Sequence, residues 1–195
     1  MAEPSKRLKR LSKMAVAAIK DGDHDALRAI LGKEPRLAGL GPSEFGGQSL
    51  AHMAVVHGEA ACLSEILKFG GVDEQLPGGS SLAIVAASNG EAACLRELVA
   101  AGADIDRLNG FSGHPAAAYA LASGRLECLS ILVEGGCQLD FSRRQGALIG
   151  ETPIDVALRN GHSECVAYLR ACLERHSISG SVQAAAAGKS HPRSL

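Results

Sequence analysis

Six cysteines, an alternating run of aspartates and a few histidines are the residues of this 195-residue chain whose types suit metal or nucleophilic chemistry. Four of the cysteines, Cys62, Cys94, Cys128 and Cys165, are spaced by 32, 34 and 37 residues. A thiolate zinc site needs four sulfurs about 2.3 Å from one ion. So regular a spacing instead implies one thiol per repeated unit, with neighbours about 10 Å apart, the distance between packed helices. Such a ladder does not converge on an ion, and its members read as small buried hydrophobes. Cys137 and Cys172 fall outside the ladder and are the better candidates among the six for exposed, oxidisable thiols. Asp21, Asp23 and Asp25 have the spacing that opens a calcium loop, but Ala26 stands where the loop needs Gly and Gly32 where it needs a bidentate Glu. Gly188-Lys189-Ser190 resembles the end of a phosphate loop, yet Gln183 occupies the place of the leading glycine. There is no Gly-x-Ser-x-Gly elbow, and His114 and His162 have no nucleophile assigned to them. These residues therefore predict no catalytic centre, no metal, no cofactor and no enzyme.

The elements that position the cysteines repeat with them. Gly58, Gly90, Gly124 and Gly161 each stand four residues before one of the four ladder cysteines. Nine residues before each of these glycines stands Ser49, Ser81, Pro115 or Thr152, itself preceded at two residues by Gly47, Gly79, Gly113 or Gly150. Twelve residues beyond the first three central glycines come Gly70, Gly102 and Gly136. A fixed period of this length marks a stacked repeat architecture.

Within one unit the local physics is legible. Ser49, Ser81 and Thr152 are suited to cap a helix through the side-chain oxygen, and Pro153 favours the first helical position. A short first helix follows, with small inward residues Ala54, Ala86, Ala120 and Ala157 that allow close packing. The central glycine ends it, because a left-handed residue costs glycine little. A second helix then carries one apolar stripe, as in Cys62/Leu63/Ile66/Leu67, Cys94/Leu95/Leu98/Val99 and Cys128/Leu129/Leu132/Val133.

These units resemble ankyrin repeats. Thr152-Pro153-Ile154-Asp155-Val156-Ala157 is similar to the family's Thr-Pro-Leu-His-x-Ala opening, Gly161-His162-Ser163-Glu164-Cys165-Val166 to its helix–helix turn, and Gly102-Ala103-Asp104-Ile105-Asp106 to its hairpin. Only His52 keeps the opening histidine, and Glu74, Asp106 and Asp140 replace the hairpin asparagine. The resemblance implies an all-α solenoid of about five helix-turn-helix units joined by short β-hairpin-like loops. The expected organisation is a basic segment 1–12, an ankyrin-repeat domain 13–175 (repeats about 13–44, 45–76, 77–109, 110–146 and 147–175) and a flexible tail 176–195. The first unit is degenerate: Gly22 takes the central place, and Ala26/Leu27/Ile30/Leu31 repeat the stripe. Arg170 stands at the fourth stripe position of the last unit, as suits a terminal helix with no further neighbour. Roughly four extra residues around Arg143-Arg144-Gln145-Gly146 are inserted before the last unit, where repeat proteins place loops.

Bulk properties fit this picture. The chain is 46% hydrophobic but only 3% aromatic, with no Trp, which suits close-packed small-residue helices. A net charge of −1 gives no overall pull toward nucleic acid or membrane. No apolar run approaches the length of a membrane span, and Met14–Ile19 is too short for a secretory signal core. A cytoplasmic location is expected. The Lys6-Arg7-Leu8-Lys9-Arg10 cluster adds a nuclear address as a second possibility, beside a solvated helix start.

The resemblance further implies binding to another protein through a concave face of hairpin tips and first-helix ends. Carried over by position, the tips are Phe45 and Gln48, Pro77 and Ser80, Phe111 and His114, and Leu148 and Glu151. The helix ends are Val56 and His57, Ser88 and Asn89, Ala122 and Ser123, and Arg159 and Asn160. Phe45, Phe111 and Leu148 are candidate anchors, since core packing demands no large apolar group at a tip; folding back over the next hairpin is the alternative. The expected function is a protein–protein interaction module (adaptor, inhibitor or targeting subunit), monomeric on its own and without a small-molecule substrate. A self-associating or permanently assembled subunit is the alternative.

Overall fold

The computed structural model describes residues 6–39, 48–74, 76, 78–139 and 152–187, the last twelve of these as backbone only. Helices come in pairs: α1 (Lys6–Lys20) with α2 (His24–Lys33), α3 (Leu50–Val56) with α4 (Ala60–Leu67), and α5 (Leu82–Asn89) with α6 (Ala92–Ala100). α7 (Ala116–Ala122) with α8 (Leu126–Glu134) and α9 (Pro153–Arg159) with α10 (Ser163–Ala187) complete the five pairs. Among the described residues there is no strand. The first helices stack on one another in the order α1, α3, α5, α7, α9, and the second helices do the same from α2 to α10, giving two parallel layers. This is the all-α repeat solenoid that the spacing predicts.

The caps form where side-chain oxygens are available. Ser49, Ser81 and Thr152 accept from the backbone N–H of His52, Ile84 and Asp155, and Thr152 with Asp155 closes a full capping box. Pro115 holds the same place without a side-chain bond. At the other end of α5, Gly90 sits at φ +87°, a conformation closed to most side chains, and lets the chain turn directly into α6.

Burial follows the stripe. Leu63, Leu95 and Leu129 are completely buried, as are Ile66, Leu98 and Leu132 at the next turn of the same helices. Each such side chain contributes about 1.5–3 kcal/mol relative to exposure. Ala54, Ala86, Ala120 and Ala157 are also fully buried between the layers, where a larger group would force the helices apart. The cysteine ladder lies at this seam. The thiols of Cys94 and Cys128 point at the carbonyls of Ala54 and Ala86 in the preceding unit, at 3.9 and 4.0 Å.

Further contacts tie unit to unit. Buried Glu65 on α4 accepts from Arg28 of α2 at 2.6 Å and from Lys68 at 2.8 Å. These two cations hold its carboxyl at about 2, well below the usual range. On the turn edge, Glu59, Glu91, Arg125 and His162 each lie over the central glycine of the unit before, Gly22, Gly58, Gly90 and Gly124 respectively.

Three expectations change. Cys137 and Cys172 are buried, 9% and 1% exposed, because the packing of the last two units closes over both. The Lys6–Arg10 cluster is the first third of α1 and continuous with the first unit. Residues 176–187, expected as a flexible tail, continue α10 as helix. The insertion around Arg143–Gly146 lies outside the described residues.

Candidate functional site

The hairpin edge is built around Asn109, which is only 7% exposed. Its side-chain Nδ2 donates to Ser80 Oγ of the preceding hairpin at 2.7 Å. Its Oδ1 accepts from the backbone N–H of Phe111 at 2.9 Å and of Ser112 at 3.0 Å. Its own N–H donates to the carbonyl of His114, closing the loop across its base. One buried amide thus shapes its own tip and joins it to the one before. Beside it the Gly110 N–H donates to the Gly79 carbonyl at 3.1 Å, so the two loops are also linked through the backbone. Gly79 has φ +73°, and a Cβ there would lie 2.8 Å from the Gly110 backbone.

This frame holds Phe111 outward. Its ring edge rests over Gly78 of the preceding hairpin, yet the residue is 78% exposed, against 49% for Leu158, the next among the exposed large hydrophobics. The ring thus leans on the preceding hairpin, where the alternative named the next one, and still faces solvent.

Below the tip lies a cavity of about 140 Å³ between α7 and α9. Ala118, Ala122, Pro153 and Val156 give it an apolar floor, with Ser112, His114 and Tyr119 at its rim. The hydroxyls of Ser112 and Tyr119 are 2.8 Å apart and satisfy each other. The small Ala118 and Ala122 leave this space; longer side chains would fill it.

The remaining candidates fall into separate places. Ser80 is spent on the Asn109 bond, and the Ser88 hydroxyl donates to the carbonyl of Val85 on its own helix. Gln48 is exposed just before α3. Val56, 42% exposed, and His57 mark the far end of α3, with Asn89, Arg159 and Asn160 exposed at the equivalent ends of α5 and α9. His114 and Ala122 join the cavity, and the other described candidates do not. Phe45, Pro77, Leu148 and Glu151 lie outside the described residues. Sequence reasoning missed Asn109, Ser112, Tyr119, Pro153 and Val156. Asn109 carried a signal in its own neighbourhood, since Asn before Gly110 is a turn pair.

Other chemistry is absent from this face. Among the described residues no group of His, Cys, Asp and Glu is placed to hold a metal. Burial pushes the thiols of Cys62, Cys94 and Cys128 up to about 11, 12 and 11, and that of Cys137 to about 12, away from the thiolate needed for nucleophilic or metal chemistry. Asp23 caps α2 by accepting from Ala26 N–H at 2.8 Å, and Asp25 pairs with Arg28 at 3.0 Å. Both belong to the α1–α2 turn. No helix among the described residues is long and apolar enough to cross a membrane.

Residues 82–178 match the family model described as ankyrin repeats (3 copies). No curated protein matches the chain. Ankyrin repeats are in general protein–protein interaction modules and typically non-enzymatic. Residues 82–178 thus carry ankyrin repeats, and the same two-layer stacking carries on through α1–α4.

Proposed function

We propose that this protein binds a partner protein through its concave face, as an adaptor, inhibitor or targeting subunit. The contact would centre on Phe111 and the α7–α9 cavity. The observation that carries this reading is a large aromatic side chain, 78% exposed, on a tip held rigid by a buried amide. Leaving Phe111 in water forgoes the burial an aromatic ring seeks, and the frame that holds it out is already ordered, so docking costs little loop entropy. The neighbouring cavity suits one apolar side chain of the partner, and the exposed Val56 and Asn89 extend the same face toward the N-terminal units. The unit acts as a monomer, and the self-associating subunit is the alternative that sedimentation of the purified chain distinguishes.

Crosslinking pull-down from native extract tests the proposal when wild type is run beside Phe111→Ala and Val156→Glu. Species retained by wild type and lost from both variants, at unchanged melting temperature, are the expected outcome. Equal retention by all three proteins would remove the concave face from consideration.

A further inference from the structure

The end of the solenoid carries a second surface that the concave face does not explain. α1 holds six of the 20 Lys and Arg residues and none of the 21 Asp and Glu. The rest of the chain is left with 14 basic residues against 21 acidic. α1 is therefore a basic end on an acidic body.

The charges have a definite face. Leu8, Leu11, Ala15, Ala18 and Ile19 turn toward the array. Lys6, Lys9, Arg10 and Lys13 lie on the opposite side with Met14 and Ala17, around an open groove. Spacings of three, four and seven residues put these side chains in one stripe. None of the four cations forms an ion pair among the described residues. Met14 is 46% exposed among them, a flexible apolar group on an otherwise charged floor.

Stacking geometry adds a second observation. Every later first helix packs on the one before it: α3 on α1, α5 on α3, α7 on α5 and α9 on α7. Among the described residues, no helix packs on the outer side of α1, the side on which a preceding helix would lie.

We propose that this face docks a short acidic segment of a protein partner, with carboxylates over Lys6, Lys9, Arg10 and Lys13 and an apolar side chain against Met14. Charge complementarity supplies the attraction. Length selects the class of occupant. The patch, from Lys6 to Ala17, is shorter than the helix, about 17 Å, and exposed Asp21, Asp23 and Asp25 follow at the helix's C-terminal end. An anionic membrane plane or a long nucleic acid laid along α1 would meet those carboxylates, while a short peptide ends before them. The stripe also lacks an aromatic ring on which bases would stack.

The full chain is titrated into a fluorescein-labelled peptide matched to α1 in length, with Glu at i and i+4 and Leu between. The expected result is saturable binding that weakens about tenfold or more in K9E/R10E/K13E and in the milder K9Q/R10Q/K13Q, both with unchanged circular dichroism. Added salt to about 0.5 M should abolish it, and Phe111→Ala should leave it intact. Equal affinity for the charge-reversed chain, or loss of binding in Phe111→Ala, overturns the proposal. So does preferential binding to phosphatidylserine-containing vesicles or to a single-stranded oligonucleotide.

Discussion

Along the helix-turn edge the same contact is made four times: Glu59 over Gly22, Glu91 over Gly58, Arg125 over Gly90 and His162 over Gly124. The hairpin edge repeats a contact only twice among the described residues, where the N–H groups of Asp104 and Gln138 donate to Asp73 and Asp106 of the unit before, and its tips depart from any repeat. There one amide, Asn109, makes three side-chain bonds, and one backbone bond joins Gly110 to Gly79. The turn edge tolerates a change of chemistry, from carboxylate to guanidinium to imidazole, because what it needs is a side chain lying across a bare backbone. The hairpin edge depends on individual hydrogen bonds. Repetition thus secures the stack, and departure from repetition shapes the surface on which Phe111 stands.

Substitutions that strike the two edges unequally should separate these roles. Gly79→Ala should be the most damaging, at about 3 kcal/mol, because the new Cβ meets backbone that cannot move aside and φ is positive. Chemical denaturation reads this directly, and a loss under about 1 kcal/mol would mean that the hairpin edge is softer than its geometry implies. Asn109→Ala should cost about 2 kcal/mol, since the Phe111 and Ser112 N–H groups lose their acceptor. It should also raise amide exchange at residues 110–114 without affecting α1–α4.

On the turn edge, Gly124→Ala should cost about 1–2 kcal/mol. The Cβ meets the His162 ring, a side chain free to swing away. If this change proves as costly as Gly79→Ala, the contrast between the edges fails.

A smaller effect, about 1 kcal/mol, is expected for Glu65→Gln, and it depends on pH. Arg28 and Lys68 hold the folded Glu65 carboxyl at about 2, against an ordinary 4.5. The folded state thus favours the ionised form. The stability this adds is fully present above pH 4.5 and is lost as pH falls toward 2. Acid unfolding followed by circular dichroism should show the gap between wild type and Glu65→Gln close over that window. Phe111→Ala should change stability least, by under about 0.5 kcal/mol, while weakening partner binding about tenfold.

Much of the fold was legible because each unit spells it again. Ser49, Ser81 and Thr152 announce helix starts, central glycines announce turns, and the cysteine-led stripes announce the buried side of each second helix. The site was less so. Phe111 was found from its position on a tip, yet its exposure depends on Asn109, whose role no spacing rule expressed. Ser80 and Ser88 were proposed for a partner and are engaged within the chain, since a hydroxyl's bonds depend on neighbours that sequence distance does not rank. Cys137 and Cys172 were the better candidates for exposure because they break the period. They are buried because the last two units close over them.

Sequence alone determined the repeat, its register, the cysteine ladder and the basic character of α1, all properties of short windows in which neighbouring residues act on one another. Tertiary structure decided which tip residues face outward, that a cavity opens between α7 and α9, and that, among the described residues, no helix packs on one face of α1. Those depend on residues about 30 positions apart meeting across units, as Ser80 and Asn109 do, and such meetings follow from packing and not from local pattern.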